Sequence, residues 1–259
     1  MIEDYIEKRE NPGWQEEIVL TEKAIKAVNQ MVPKPRFFIV CGDLINAFPG
    51  TTLRKPQEID FKKVFSDLDP EIPLICVCGN HDIGDTPTPD SIITYKNTFG
   101  DDYFSFWCGG MMCIVLNSQY FQDPSLVLDN AKEQEIWLEE QLSLAKSGAF
   151  QHVVVFQHIP WFLFKPDEKK EYFNIDKDLR IKMLKKFQEA GIKIIFCGHY
   201  HRNAGGFYEN IEVVTTSAIG AQLGTDKSGM RIVRVLPETI KHDYYALEDL
   251  PTEINLTNL

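Results

Sequence analysis

Four short apolar runs set the frame of this chain: FFIVC at 37–41, LICVC at 74–78, VVVF at 153–156 and IIFC at 194–197. Each is too short for a helix, rich in β-branched residues and bounded by turn formers, which marks a buried strand. Each also runs straight into polar residues: Gly42-Asp43, Gly79-Asn80-His81-Asp82, Gln157-His158 and Gly198-His199-Tyr200-His201. Polar groups at the edge of a core cost free energy unless they are bonded or used. Four strands with such ends predict a shared site, because sites in α/β sheets form beyond the carboxyl ends of strands.

The segments between them carry helical spacing. Ile18, Ile25, Val28 and Val32 predict a helix over 14–32, and further helices are expected over 58–69, 90–99, 131–146 and 178–190. The runs 103–107 and 112–116 flank Gly109-Gly110 and predict a hairpin, and 211–216, 230–236 and 240–246 read as strands. The alternation predicts one α/β domain over 1–259 with about eight or nine strands in a mixed sheet or two packed sheets, and a flexible tail over 248–259. Trp107, Trp137 and Trp161 are expected in the core, with a place for Trp161 in a substrate groove as the alternative.

Composition narrows the partners. The net charge of -11 argues against a nucleic-acid ligand, which calls for a basic face. The acidic start MIEDYIEKREN has neither a basic n-region nor an apolar h-region, so no signal peptide is expected, and no apolar run reaches the length of a membrane span. Four of the six cysteines, Cys41, Cys76, Cys78 and Cys197, lie in the apolar runs and read as reduced, buried thiols, and a cytoplasmic location follows.

Asp43, Asn80, His158, His199 and His201 together offer the oxygen and nitrogen donors that suit a divalent Mn, Fe or Zn ion. Taken singly, each has a bland reading: an Asp after a strand is usually a turn former, and a lone buried His is usually a satisfied core group. The four strand ends together, in this order, favour the metal. His152 and His242 are not expected to be ligands, and Arg202-Asn203 reads equally as a phosphate contact or a solvated loop.

The order Gly-Asp, Gly-Asn-His-Asp, His, Gly-His-x-His over 37–201 resembles the calcineurin-like metallophosphoesterases. The stretches FFIVCGDLI, GNHDIGDTPT, GDDYFSFWCGG, FQHIPWFL and GHYHRNAGG resemble an animal branch regarded as cytosolic Ser/Thr protein phosphatases, with Akt-type kinases as a substrate class. The resemblance implies a four-layer α/β/β/α sandwich with a site for two divalent ions, Mn, Fe, Zn or Mg. Asp43 would bridge them, Asn80, His158 and His199 would complete one ion's shell, and His201 would ligate the other. His81, with Asn80, would contact the substrate and either protonate the leaving oxygen or stabilise the transferred phosphoryl group, and Asp82 would orient the His81 ring. The implied reaction is phosphate-monoester hydrolysis on a phosphorylated protein, by a monomer without nucleic-acid or membrane partners.

The family usually opens on a strand ending in Asp-x-His. Asp4-Tyr5-Ile6 lacks that His and follows no apolar run. The expectation is therefore a first sheet short of one strand, with an exposed edge and one ion site reduced to Asp43 and His201. GDLINAFPG also lacks the Arg of Gly-Asp-x-x-Asp-Arg-Gly. Two other readings follow: a phosphodiesterase on nucleotides or lipids, and a metal-deficient, non-catalytic binding form.

Overall fold

The computed structural model describes residues 13–257; the opening stretch around Asp4-Tyr5-Ile6 and the final two residues of the expected tail lie outside them. The elements run α1 (Gln15–Asn29), β1 (Phe38–Cys41), α2 (Arg54–Phe65), β2 (Leu74–Val77), α3 (Asn80–Ile83), α4 (Pro89–Phe99), β3 (Phe104–Cys108), β4 (Met111–Val115), α5 (Gln119–Gln122), α6 (Leu128–Lys146), β5 (His152–Phe156), α7 (Lys177–Glu189), β6 (Ile194–Cys197), β7 (Ala204–Tyr208), β8 (Ile211–Thr215), β9 (Gly229–Val235) and β10 (Ile240–Ala246).

Strand alternation builds the layers. On β4, β5 and β6, Met112, Ile114, Val153, Val155, Ile195 and Cys197 point to one face, where they pack with Leu138 and Leu142 of α6 and with Met183, Leu184 and Phe187 of α7. Their neighbours Met111, Cys113, Val115, Val154, Phe156, Ile194 and Phe196 point to the other face and meet Ile39, Cys41 and Ile75 of β1 and β2. Behind those strands, Phe38, Leu74, Met230 and Ile232 pack under Ile25 and Val28 of α1 and Val64 of α2. Helices, strands, strands and helices thus stack in four layers.

The two strand layers are built differently. One is a continuous six-stranded mixed sheet in the order β3-β4-β5-β6-β8-β7. The other is two separate pairs: β1 and β2 run parallel, while β9 and β10 form an antiparallel hairpin. Between β1 and β9 lies a cavity of about 740 Å³, lined by 37–43 on one side and 229–235 on the other.

Several expectations needed correction. Strand β7, Ala-Gly-Gly-Phe-Tyr, carries too little apolar pattern to be read from sequence, and it forms because β8 offers it an edge. The tail is not free throughout: Val32 bridges Glu253, and its N–H and C=O bond Thr252 and Ile254. Trp107 is 61% exposed rather than in the core. Trp161 is fully buried against Phe121 and Phe187, which removes it from any groove.

Candidate metal centre

β1, β2, β5 and β6 end at one point. The turn after β1 presents Asp43 at φ 51°, and the turn after β6 presents His199 at φ 67° and His201 at φ 54°. All three sit in the left-handed region, which side chains other than glycine rarely adopt and which clusters at functional sites. Glycine is needed where the turns approach each other. A Cβ on Gly79 would stand 2.3 Å from both the backbone nitrogen and Oδ1 of Asp43, and one on Gly42 would stand 2.2 Å from His158 Nδ1.

Asp43, His158 and His199 bring one ligand atom each within 4.8 Å of one another. His158 Nε2 lies 3.2 Å from Asp43 Oδ1, 3.0 Å from Asn80 Oδ1 and 3.1 Å from His199 Nδ1. The second nitrogen of each imidazole is already committed. His158 Nδ1–H donates to the Cys41 carbonyl at 2.7 Å, and His199 Nε2–H donates to the Tyr172 carbonyl at 3.1 Å. A carbonyl only accepts, so both facing nitrogens are lone pairs in the neutral rings. The Asn80 amide is fixed as well, since its Nδ2 donates to Asp85 Oδ1 at 2.9 Å and to Tyr172 Oη at 3.1 Å, leaving Oδ1 inward.

With both rings neutral, Asp43 Oδ1, Asn80 Oδ1, His158 Nε2 and His199 Nδ1 are four acceptors facing one another; Asp43 Oδ1 also accepts the His81 N–H at 2.9 Å. That arrangement is repulsive unless a cation takes the centre. The electrostatics point the same way. Burial alone would raise the Asp43 carboxyl, but the imidazoles of His158 and His81 outweigh it and hold it well below the usual carboxylate range. Burial works against a charged His158, yet the Asp43 carboxylate beside its Nε2 raises it; a positive charge is favoured at this point, which a proton on His158 or a bound cation in its place would supply. His199 is pushed down to about 3 by burial and by His158, which leaves its lone pair free for an ion at neutral pH.

His201 stands apart from this tight group. Its Nδ1–H donates to the Ala221 carbonyl at 2.6 Å, and it lines the cavity between β1 and β9 together with Asp43. Asp43 Oδ2 is buried without a hydrogen-bond partner, an orphan acceptor beside the ion position.

His81 is oriented differently from the expectation. Asp82 does not hold its ring: Asp82 accepts the N–H of Leu44 at 3.1 Å and of Gly79 at 2.7 Å, tying the turn after β1 to the turn after β2. The geometric reason is that Asp82 sits at the third position of helix α3 and caps its start, so its carboxylate points back along the backbone. His81 Nδ1–H donates instead to the Asn46 carbonyl at 2.5 Å, and the Phe48 ring lies over the imidazole at 4.3 Å. His81 Nε2 is then left 3.9 Å from Asp43 Oδ2. Beneath it, buried Arg54 donates to the His81 carbonyl at 2.9 Å and pairs with Glu58 at 2.9 Å. Burial and the Asp43 charge raise the Asp82 carboxyl to about 7.

Asn46, Arg54 and Tyr172 are the residues that sequence reasoning missed. Their only signal was position, Asn46 three residues beyond Asp43 and Tyr172 inside a polar connector. The other histidines serve structure: His152 Nε2 bonds the Leu236 carbonyl, and His242 lies between Arg231 and Glu212. Asn203 is spent on Asp226 and Arg231, while Arg202 stacks on Tyr200 at 4.8 Å. Burial drives the Cys41, Cys76 and Cys113 thiols up to about 12, which removes them as nucleophiles.

The sequence profile described as Calcineurin-like phosphoesterase matches residues 17–203. The chain belongs to that family. It is 51% identical over 238 residues to the human "Serine/threonine-protein phosphatase CPPED1", spanning 92% of this chain and 76% of that protein. The cattle protein of the same name gives 51% over 237 residues, with the same coverage. Among solved structures, a purple acid phosphatase from yellow lupin superposes with a TM-score of 0.65 over 91% of this chain and 48% of its own, at 12% identity, which supports the shared fold. The family carries divalent metals, and the Asp43, His158 and His199 cluster fits one.

Proposed function

We propose that this chain is a metal-dependent phosphatase that removes phosphate from serine or threonine residues of proteins. The observation that carries the proposal is the convergence of Asp43 Oδ1, Asn80 Oδ1, His158 Nε2 and His199 Nδ1 as four proton-free acceptors, with the His81 ring beside them. The protein-phosphatase part rests on the human and cattle relatives. A divalent ion in this site supplies Lewis acidity, neutralising phosphoryl charge and activating water.

The chain's own residues do the rest. Asp43, Asn80, His158 and His199 hold the ion. His81, fixed at Nδ1 by the Asn46 carbonyl, presents Nε2 to the substrate side and, when protonated there, hands a proton to the leaving seryl or threonyl oxygen. Phe48 keeps the imidazole from tilting, while Arg54 and Asp82 fix the backbone around it. No cysteine or serine nucleophile is required. An Akt-type kinase as substrate, a monomeric state and a cytoplasmic location extend this reading; the first comes from the family resemblance and the last from the reduced thiols. Among the described residues, one group, Asp43, His158 and His199, could hold an ion, which also supports a chain that holds a single ion.

The test compares a phosphothreonine peptide, an aryl phosphate monoester and the matching diester, with Mn²⁺ added and bound metal counted by elemental analysis. His81→Ala is expected to keep its metal and to lose about 10²- to 10⁴-fold in monoester turnover. Wild-type turnover in that variant would remove His81 from the chemistry. A preference for the diester would replace the phosphatase reading with a phosphodiesterase one. A metal-free, inactive wild-type chain would leave only a binding role.

A further inference from the structure

The segment between β5 and α7 is held by more polar bonding than a connector needs. The Glu168 carboxylate accepts the N–H groups of Leu163, Phe164 and Lys165 at 2.7, 3.0 and 3.1 Å. Asn174, buried, bonds Glu168 at 2.8 Å, the Lys169 carbonyl at 2.9 Å and the Glu171 N–H at 2.8 Å. Arg180, fully buried on α7, donates to the carbonyls of Pro166, Glu168 and Ile175 at 2.8, 2.9 and 2.7 Å. Burying a guanidinium is costly, and a connector that only needed to link two elements would not call for it.

What the network produces is a fixed strap whose Tyr172 meets the ion site at two points. Its carbonyl takes the Nε2–H of His199, which selects the tautomer with a free Nδ1. Its hydroxyl, 3.1 Å from Asn80 Nδ2, joins Asp85 in choosing which end of the Asn80 amide faces inward. The ring lies 5.0 Å from the His199 ring, and the ring of neighbouring Phe173 lies 5.5 Å from the same imidazole. Tyr172 itself is 46% exposed, so it can be altered without opening the core.

We propose that Tyr172 is a positioning residue of the metal centre, setting Asn80 through its hydroxyl and His199 through its carbonyl, with the Glu168–Asn174–Arg180 network as its mount. The proposal rests on the metal-binding part of the function above and not on the identity of the substrate. Tyr172 touches no reacting atom; it acts by keeping two ligands aimed.

The experiment titrates the metal-stripped chain with Co²⁺ and reads the visible ligand-field spectrum, in wild type, Tyr172→Phe, Tyr172→Ala and Glu168→Ala. Outer partners of metal ligands typically change affinity about 10- to 100-fold. Tyr172→Phe keeps the ring and the carbonyl and is expected near the lower end of that range. Tyr172→Ala and Glu168→Ala, which also loosen the carbonyl, are expected to bind more weakly still and with an altered spectrum. With saturating metal, kcat should fall while KM for a phosphopeptide stays put. Wild-type Co²⁺ affinity and spectrum in both Tyr172 variants would overturn the proposal, whatever their activity. Wild-type chain that binds Co²⁺ but hydrolyses no phosphoester would sink the phosphatase reading and leave this one standing, provided the variants still bind more weakly.

Discussion

The two strand layers contribute unequally to one site. The six-stranded sheet delivers His158 and His199 from β5 and β6, strands paired on both edges and buried on both faces. The opposite layer delivers Asp43 and Asn80 from β1 and β2, a two-stranded pair whose far edge faces the cavity rather than β9. Backbone hydrogen bonds restrain the first pair of ligands; side-chain staples replace them for the second. Asp82 ties the β1 turn to the β2 turn, Arg54 ties α2 to His81, and Tyr172 with Asp85 holds the Asn80 amide. A ligand can therefore be held by sheet continuity or by buried polar contacts, and this chain uses both around one ion.

The largest test removes a ligand from one layer and a staple from the other. His158→Ala takes an imidazole from the continuous sheet and should abolish metal binding, with turnover down by at least about 10²-fold, beyond what losing an outer partner costs. Asp82→Asn removes no ligand but weakens the staple between the two turns of the split layer. If polar staples stand in for sheet continuity, it should lower metal affinity by about tenfold while the fold survives. Metal counting and circular dichroism read both. Unchanged affinity in Asp82→Asn would mean that the β1 and β2 turns hold themselves.

A core truncation in each layer tests the same difference through stability. Ile195 is fully buried on β6, whereas Ile232 on β9 is half-buried beside the cavity. Ile195→Ala should cost about 2–5 kcal/mol, and Ile232→Ala should fall below that range because the cavity already withholds packing partners. Hydrogen exchange supplies the second readout: amides of β1 and β9 should exchange faster than those of β4, β5 and β6. Equal costs and equal protection would show that the gap between β1 and β9 is closed in solution.

The strand ends were legible because burial and polarity collide there. An apolar run that breaks into Asn80-His81-Asp82 leaves a mark in composition and in spacing, and the ion-facing set followed from it. The helices were legible to within a few residues, since spacing reports the buried stripe. What failed depended on three-dimensional return. Asp82 lies next to His81 in sequence, so it was the natural partner for the ring; a helical start turns its carboxylate back on Gly79 instead, and the Asn46 carbonyl, 35 residues away, takes the imidazole. A backbone carbonyl carries no residue signature, so no reading of side chains finds it. Tyr172 was hidden likewise, in a segment whose order comes from Arg180 on the following helix.

The smallest expected effect lies in that segment, and it separates the strap from the ion site by pH. Burial alone would raise the Glu168 carboxyl, but the three backbone N–H donors and Asn174 outweigh it and hold it below its ordinary 4.5. A carboxyl whose folded pKa is depressed stabilises the fold fully above its unfolded value, and the contribution fades as pH falls through the folded one. The strap should therefore lose support below about pH 4.5. Glu168→Gln keeps one acceptor and the side-chain volume but removes the charge. Partial exposure keeps the effect modest, so its Tm should sit about 2–4 °C below wild type at neutral pH, the shift that roughly 1 kcal/mol gives in a domain of this size. The two melting curves should converge as pH drops below 4.5. A gap that does not narrow at all as pH falls below 4.5 would mean that packing rather than charge holds the strap, and Tyr172 would then owe its position to the rings of Phe173 and His199.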